Sequence, residues 1–143
     1  MKISECMTRE VNTIAPDRTI RDAARMMSDR DIGALPVGEN DRLVGMITDR
    51  DIAVRAIGRG KGPDTPIREV MTANPKRIRG DQLASEAIAV MRPHRIDELP
   101  VVDDHDRPIG LIDIQDLVVL RMLDVEPGDE AKLDAKIDDR VQG

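Results

Sequence analysis

The sequence predicts a mixed α/β fold made of two tandem βαββα repeats, and three observations predict it. The opening Ile3-Ser4-Glu5-Cys6-Met7-Thr8 returns as Ile67-Arg68-Glu69-Val70-Met71-Thr72, and Ile14, Asp17, Met27, Ile32 and Leu35-Pro36-Val37 return 64 positions later as Ile78, Asp81, Met91, Ile96 and Leu99-Pro100-Val101. Apolar residues then recur at helical spacing in each copy, at Ile20, Ala23, Ala24 and Met27 and again at Ala84, Ala87, Ile88 and Met91. Short apolar runs bounded by turn-forming residues follow each stripe and read as hairpins.

The elements can be taken in order. Val11 to Ile14 is β-branched and apolar and ends at Ala15-Pro16-Asp17, which predicts an edge strand. Thr19 caps the first helix with Asp22 at its third position. Ala34 to Val37 is too short and too apolar for anything but a buried strand, and Gly38-Glu39-Asn40-Asp41 turns it into a second strand, Arg42 to Ile47. A helix from Thr48 is expected to bury Ile52, Ala53, Ala56 and Ile57 and to stop at Gly58 or Gly60. Lys61 to Thr65 is the linker, after which Thr65-Pro66 reads as an N-cap with proline at the first helical position. The division is repeat 1 over residues 1–62, repeat 2 over 63–122 and an acidic tail over 123–143. In that tail Leu133, Ile137 and Val141 form only a thin apolar line among carboxylates.

A chain of 143 residues can bury roughly two-thirds of its unfolded surface, so a core is within reach. With no Phe, Tyr or Trp and eight Met, that core is aliphatic, with methionine filling its irregular gaps. The net charge of −6 argues against nucleic acid and anionic membrane as partners. Cys6 is alone and reads as a small neutral thiol. No apolar run has signal-peptide or membrane-spanning length, which points to a soluble cytoplasmic protein. His94, His105 and Cys6 lack metal-ligand spacing, and no nucleophile stands with a base, so neither a metal site nor an enzyme is expected.

The stretch that could carry chemistry is Gly45-Met46-Ile47-Thr48-Asp49-Arg50-Asp51-Ile52, with its later counterpart Gly110-Leu111-Ile112-Asp113-Ile114-Gln115-Asp116-Leu117. Thr48 and Asp51 can simply cap a helix, as Thr19 and Asp22 do. Gly45 and the apolar pair after it suggest more: a strand ending against a helix start, where free N–H groups favour an anion. A carboxylate beside that point can accept hydrogen bonds from ribose hydroxyls, so the pair together suggests a nucleotide. Arg50, Arg55, Arg59, Lys76, Arg77, Arg79, His94 and Arg95 are the basic groups that could reach a phosphate, led by Arg50 and Arg95, which flank the motif stretches.

In order and twice, the chain carries a Met-Thr start, an Ile-x-x-Leu-Pro-Val strand and a Gly-led box ending in x-x-Asp. On these motifs the span from Lys2 to Val119 resembles a tandem pair of cystathionine-β-synthase (CBS) domains, a Bateman module. Its size is similar to that of free-standing bacterial two-CBS proteins of the hypoxic-response kind. The resemblance implies two βαββα units packed sheet to sheet about a pseudo-twofold axis, with an adenine nucleotide in the clefts between them. It also implies a homodimer.

Carried over residue by residue, the resemblance puts Thr48 on phosphate or ribose and Asp51 on the ribose hydroxyls, with Arg50 nearby. Ile14, Ile32 and the backbone of Gly33, Ala34, Leu35 and Pro36 form the adenine slot, Gly33 and Ala34 being small enough to admit a base. The second, weaker set is Ile78, Arg95, Ile96, Asp97, Glu98, Leu99, Pro100, Asp113 and Asp116. There Asp113 replaces the hydroxyl residue and Asp97-Glu98 replace Gly33-Ala34, so this set is weaker, empty or restricted to ligands without phosphate, and Asp113 suits an N-cap. The function implied is a regulatory sensor of AMP, ADP or ATP, with S-adenosylmethionine and NADH as alternatives. It needs no cofactor and acts on an unidentified protein target. The alternative is an interaction adaptor with vestigial clefts.

Overall fold

Leu35-Pro36-Val37 is apolar on both faces, and a strand of that kind has to be covered on both. In the computed structural model, which describes residues 1–9 and 11–117, it lies in β1 (Ala34–Glu39), whose first four residues are all buried. β1 runs antiparallel to β2 (Arg42–Thr48). The turn is tighter than the sequence suggests. Gly38 and Glu39 belong to the strand, a bulge falls at Val37/Gly38, and only Asn40 (φ 53°) and Asp41 (φ 62°) turn the chain. Asn and Asp tolerate the left-handed region, which a two-residue hairpin turn requires.

Before this hairpin, α2 (Ile20–Arg30) follows the short α1 (Ile3–Cys6) and starts with the capping box expected of it: Thr19 Oγ1 accepts the Asp22 N–H, and Asp22 accepts the Thr19 N–H. Ile20, Ala23 and Met27 enter the core, whereas Ala24 faces solvent, one residue off the buried stripe. The Val11 to Ile14 edge strand shrinks to one parallel bridge, Ile14 with Val37, held by Ile14 N–H to Pro36 C=O and Gly38 N–H to Ile14 C=O.

The helix after Thr48 departs most from expectation. Asp51–Ala56 is a π-helix, followed by a 3-10 turn (Ile57–Arg59) that ends at left-handed Gly60. Only Ala56 is buried; Ile52 is partly buried, Ala53 is exposed, and Val54 and Ile57 are 50% and 59% exposed. An i→i+5 turn rotates successive side chains differently from an α-helix, so a stripe read at 3.6 residues per turn is misplaced.

The second copy supplies β4 (Ile78–Arg79), α3 (Ala84–His94), β5 (Glu98–Val102) and β6 (Pro108–Asp113), joined in the sheet order β4-β5-β6. Here the helical stripe holds in full, with Ala84, Ala87, Ile88 and Met91 all buried. Leu83 precedes α3 and has no acceptor to cap it, so Glu86 alone takes the Leu83 N–H at 2.6 Å. In the longer second turn, Asp103 accepts the His105 and Arg107 N–H groups and the Arg107 guanidinium. The Arg107 N–H is the main influence holding its carboxyl below the usual range.

Packing does not follow the sequence period. One compact unit joins Met1–Arg9 to Arg77–Val101 and to residues 110–117, the expected acidic tail over 123–143 lying outside the described residues, and the other joins residues 11–76 to Val102–Ile109. Each repeat's opening segment therefore completes the unit of the other repeat. In the first-repeat unit β3 (Thr72–Ala73) adds to β2 opposite Met46 and Gly45, and Ile20 at the start of α2 donates to Thr65 C=O. In the second-repeat unit Thr8 bridges Leu111, and Ala84 at the start of α3 donates to Met1 C=O. Thr65 does not cap the next turn; its hydroxyl donates to Gly62 C=O, and Pro66 takes the N-cap position of the 3-10 turn Ile67–Glu69.

This arrangement explains the two glycines of the motif. Gly45 lies buried in the middle of β2, and a Cβ there would run into Met71 Sδ and lie 3.1 Å from Thr72 O. A Cβ at Gly110 would meet Met7 Sδ at 2.6 Å and Thr8 O at 2.8 Å. The Met-Thr openers and the glycines are thus two halves of one contact. Gly45→Ala is expected to cost about 1–3 kcal/mol in urea unfolding, the range for overpacking. Met71→Ala should restore part of that loss, because the nearest obstacle is a flexible side chain. Met7→Ala should restore less in Gly110→Ala, where backbone also blocks; equal rescue would contradict this packing.

Candidate functional site

Thr48 ends β2 directly across the ladder from Ala34. Its Oγ1 accepts the Asp51 N–H at 3.1 Å, and Asp51 Oδ2 accepts the Thr48 N–H at 3.0 Å, a reciprocal cap like that of Thr19 and Asp22. Capping does not exhaust either group. The Thr48 hydroxyl keeps its proton to donate, and Asp51 keeps Oδ1, which lies 3.7 Å from Arg55 Nη1. Arg55 also reaches Thr72 Oγ1 at 3.5 Å. The side chain of Asp51 is only 16% exposed, so its charge sits in a partly desolvated place with one cation beside it.

The strand residues proposed for the base fall on both sides of β1. Ile14 and Leu35 turn their side chains into the core with Ile20, Met27 and Ile47; the Ile14 N–H and C=O are taken by Pro36 and Gly38, and Leu35 pairs with Ile47 of β2. Pro36 sends its carbonyl to Ile14, and alternation directs the N–H and C=O of Ala34 to that same edge. A Cβ at Gly33 would stand 3.0 Å from Asp49 Oδ2. Its carbonyl takes the Asp49 N–H at 2.9 Å. Ile32 is partly buried against the core. Arg50 is exposed, and its side chain has no partner among the described residues.

The second set is assembled in the other unit with different chemistry. Asp97 C=O accepts the Ile114 N–H at 2.8 Å, the counterpart of the Gly33–Asp49 bond, with the carboxylate moved from one partner to the other. Asp113 accepts the Gln115 N–H at 2.8 Å, as an N-cap does. Asp116 has no hydrogen bond or ion pair among the described residues, and burial first, then the charge of Asp113, pushes its carboxyl above the usual range. Ile78, Leu99 and Pro100 are buried, Ile96 and Glu98 partly so, and Asp97 is exposed. Arg95 is the left-handed residue that closes α3, exposed at its end. Cys6 has its thiol pushed up by burial first, then by Glu5 and Asp116, which disfavours a reactive thiolate.

The family model for the CBS domain matches residues 3–57 and again residues 67–122. The chain belongs to the CBS-domain family. It is 36% identical over 126 residues to CBS domain-containing protein YhcV of Bacillus subtilis, which covers 88% of this chain and 89% of that one. It is 32% identical to hypoxic response protein 1 of Mycobacterium tuberculosis over 115 residues, 79% of this chain and 80% of that one. Among solved structures, the CBS domain pair of protein MJ0100, in complex with 5′-methylthioadenosine and S-adenosyl-L-methionine, matches with a TM-score of 0.77 at 27% identity. That match covers 84% of this chain and 94% of the other.

In this CBS pair, the structure gathers Ala34, Thr48 and Asp51 and adds Arg55, which the sequence placed below Arg50. The signal was there: Asp51 and Arg55 are four apart in one helical stretch. Among the described residues no three His, Cys, Asp or Glu side chains form a metal cluster, and no helix is long and apolar enough to cross a membrane. The raised carboxyl of Asp116 has a measurable consequence. The folded state holds that proton more tightly than the unfolded chain does. Its stabilisation is therefore complete below about pH 3.8 and is lost as pH rises through the raised value. Asp116→Asn is expected to raise the urea midpoint at pH 7 and to show no such gain below pH 3.8. A gain of equal size at both pH values would assign it to another cause.

Proposed function

We propose that this CBS pair is a non-enzymatic sensor that binds an adenine nucleotide at Thr48 and Asp51 of the first repeat. One observation carries the reading: after capping their helix, the Thr48 hydroxyl can still donate and Asp51 Oδ1 can still accept, beside the backbone edge of Ala34. A donor for phosphate, an acceptor for ribose hydroxyls and a backbone edge for a base are the groups an adenosine phosphate needs. The solved relative holding two adenosine derivatives supports the same ligand class. Binding would act by population shift, through a difference in affinity between two arrangements of the pair or of a homodimer. The second repeat, with Asp113 for Thr48, binds phosphorylated ligands more weakly.

A second reading has its own observation. The exposed Ala53, Val54 and Ile57 of the helical stretch after Asp51 suit an adaptor that docks on a protein. Thermal shift separates the two. At a hundredfold excess over Kd a true ligand adds about 2.7 kcal/mol, on the order of 8 °C in Tm for a chain of this size. AMP, ADP or ATP is expected to give that shift, and silence across these, S-adenosylmethionine and NADH favours the adaptor. By titration calorimetry with AMP, Asp51→Asn is expected to lose more affinity than Asp116→Asn, and equal losses would overturn the asymmetry.

A further inference from the structure

We infer that Arg55 is the phosphate-selecting residue of the first-repeat site, an inference that rests on the nucleotide reading above. Of the basic residues near the motif, Arg50 stands closest in sequence, yet its side chain is exposed and has no partner among the described residues. Arg55 is the one delivered to the site. The π-helix Asp51–Ala56 brings its Nη1 to 3.7 Å from Asp51 Oδ1 and 3.5 Å from Thr72 Oγ1. At 3.7 Å the guanidinium compensates the carboxylate without being locked to it. Its side chain is 38% exposed, so it remains open to a ligand. Both contacts use one nitrogen. The other donors of the planar fork are left for phosphate oxygens, whose spacing that fork matches.

The second repeat serves as an internal comparison. At the spacing that aligns Gly45 with Gly110, Thr48 corresponds to Asp113, Asp51 to Asp116 and Arg55 to Leu120. The first trio sums to no net charge, whereas the second carries two negative charges and no cation. A phosphate brought beside Asp51 meets a compensated carboxylate and a fork of donors. Beside Asp116 it would meet the like charges of Asp116 and Asp113, which at such range cost on the order of 1 kcal/mol even in a wet site. Arg55 thus separates ligands that bear a phosphate from those that share only the adenosine.

The test compares AMP with adenosine by titration calorimetry on the full chain. Arg55→Ala is expected to weaken AMP about tenfold or more, the scale of a charge-assisted hydrogen bond, and to leave adenosine within about twofold. Arg55→Lys keeps the charge without the fork and should fall between; it also serves if the alanine variant folds poorly. Arg59→Ala removes an equal charge from the same stretch and should leave the ratio of affinities unchanged. Equal weakening of AMP and adenosine by Arg55→Ala, or an unaltered AMP affinity, overturns the role of Arg55 while the nucleotide reading stands. Failure of the unaltered protein to bind either ligand overturns both.

Discussion

The contact on which the fold depends is a methionine lying over a glycine, made twice. Met71 crosses Gly45 and Met7 crosses Gly110, and in neither place is there room for a β-carbon. Each contact joins the opening segment of one repeat to the last strand of the other repeat's hairpin, β2 or β6. The Thr72–Ala73 and Thr8 pairings and the carbonyls of Thr65 and Met1 at the helix starts reinforce the same exchange. A small aliphatic core without aromatic rings has few large side chains to organise it. The flexible thioether is well suited to such a role, because it can follow the pleated surface that a glycine leaves bare.

The candidate site grows from the far end of the same strands. Thr48 and Asp51 cap a helix as Thr19 and Asp22 do, so the motif is structural before it is anything else. What distinguishes it is what remains after capping. Thr19 and Asp22 stand with Arg18, whose guanidinium bonds Asp22 at 2.9 Å in an exposed pair. Asp51 is more buried and keeps a looser cation at 3.7 Å, also within reach of Thr72 on the exchanged strand. The π-helical turn matters here because it sets which side chains return to the site and leaves Val54 and Ile57 facing outward. In the second repeat the hydroxyl becomes Asp113, which caps through Gln115, and burial raises the proton affinity of Asp116.

Much of this was legible in the residues. The duplication, the hairpins, the Thr19 cap and the stripe of the second repeat's helix all follow from local pattern, because capping and alternation are decided within a few residues of chain. The stripe after Thr48 was misread for the same reason: its period assumes an α-helix, and the π-helical turn is not encoded by any single residue. Gly33 and Gly45 were legible as places needing a small residue, but not as room for Asp49 and Met71. Arg50 was preferred to Arg55 because it is nearer in sequence, and nearness in sequence is not aim.

By itself, the sequence determined that there are two βαββα copies of one family, that Thr19 starts the first repeat's long helix, and that their acidic motifs differ. Only the tertiary structure decided that each opener completes the other repeat's unit. It also decided that the motif glycines yield space to methionine, and that Arg55 rather than Arg50 stands beside Asp51. The reason is physical. A repeat pattern records what each segment can pair with, and two near-identical partners satisfy it equally. The choice between them is made by chain connectivity and close packing, which act between residues far apart in sequence.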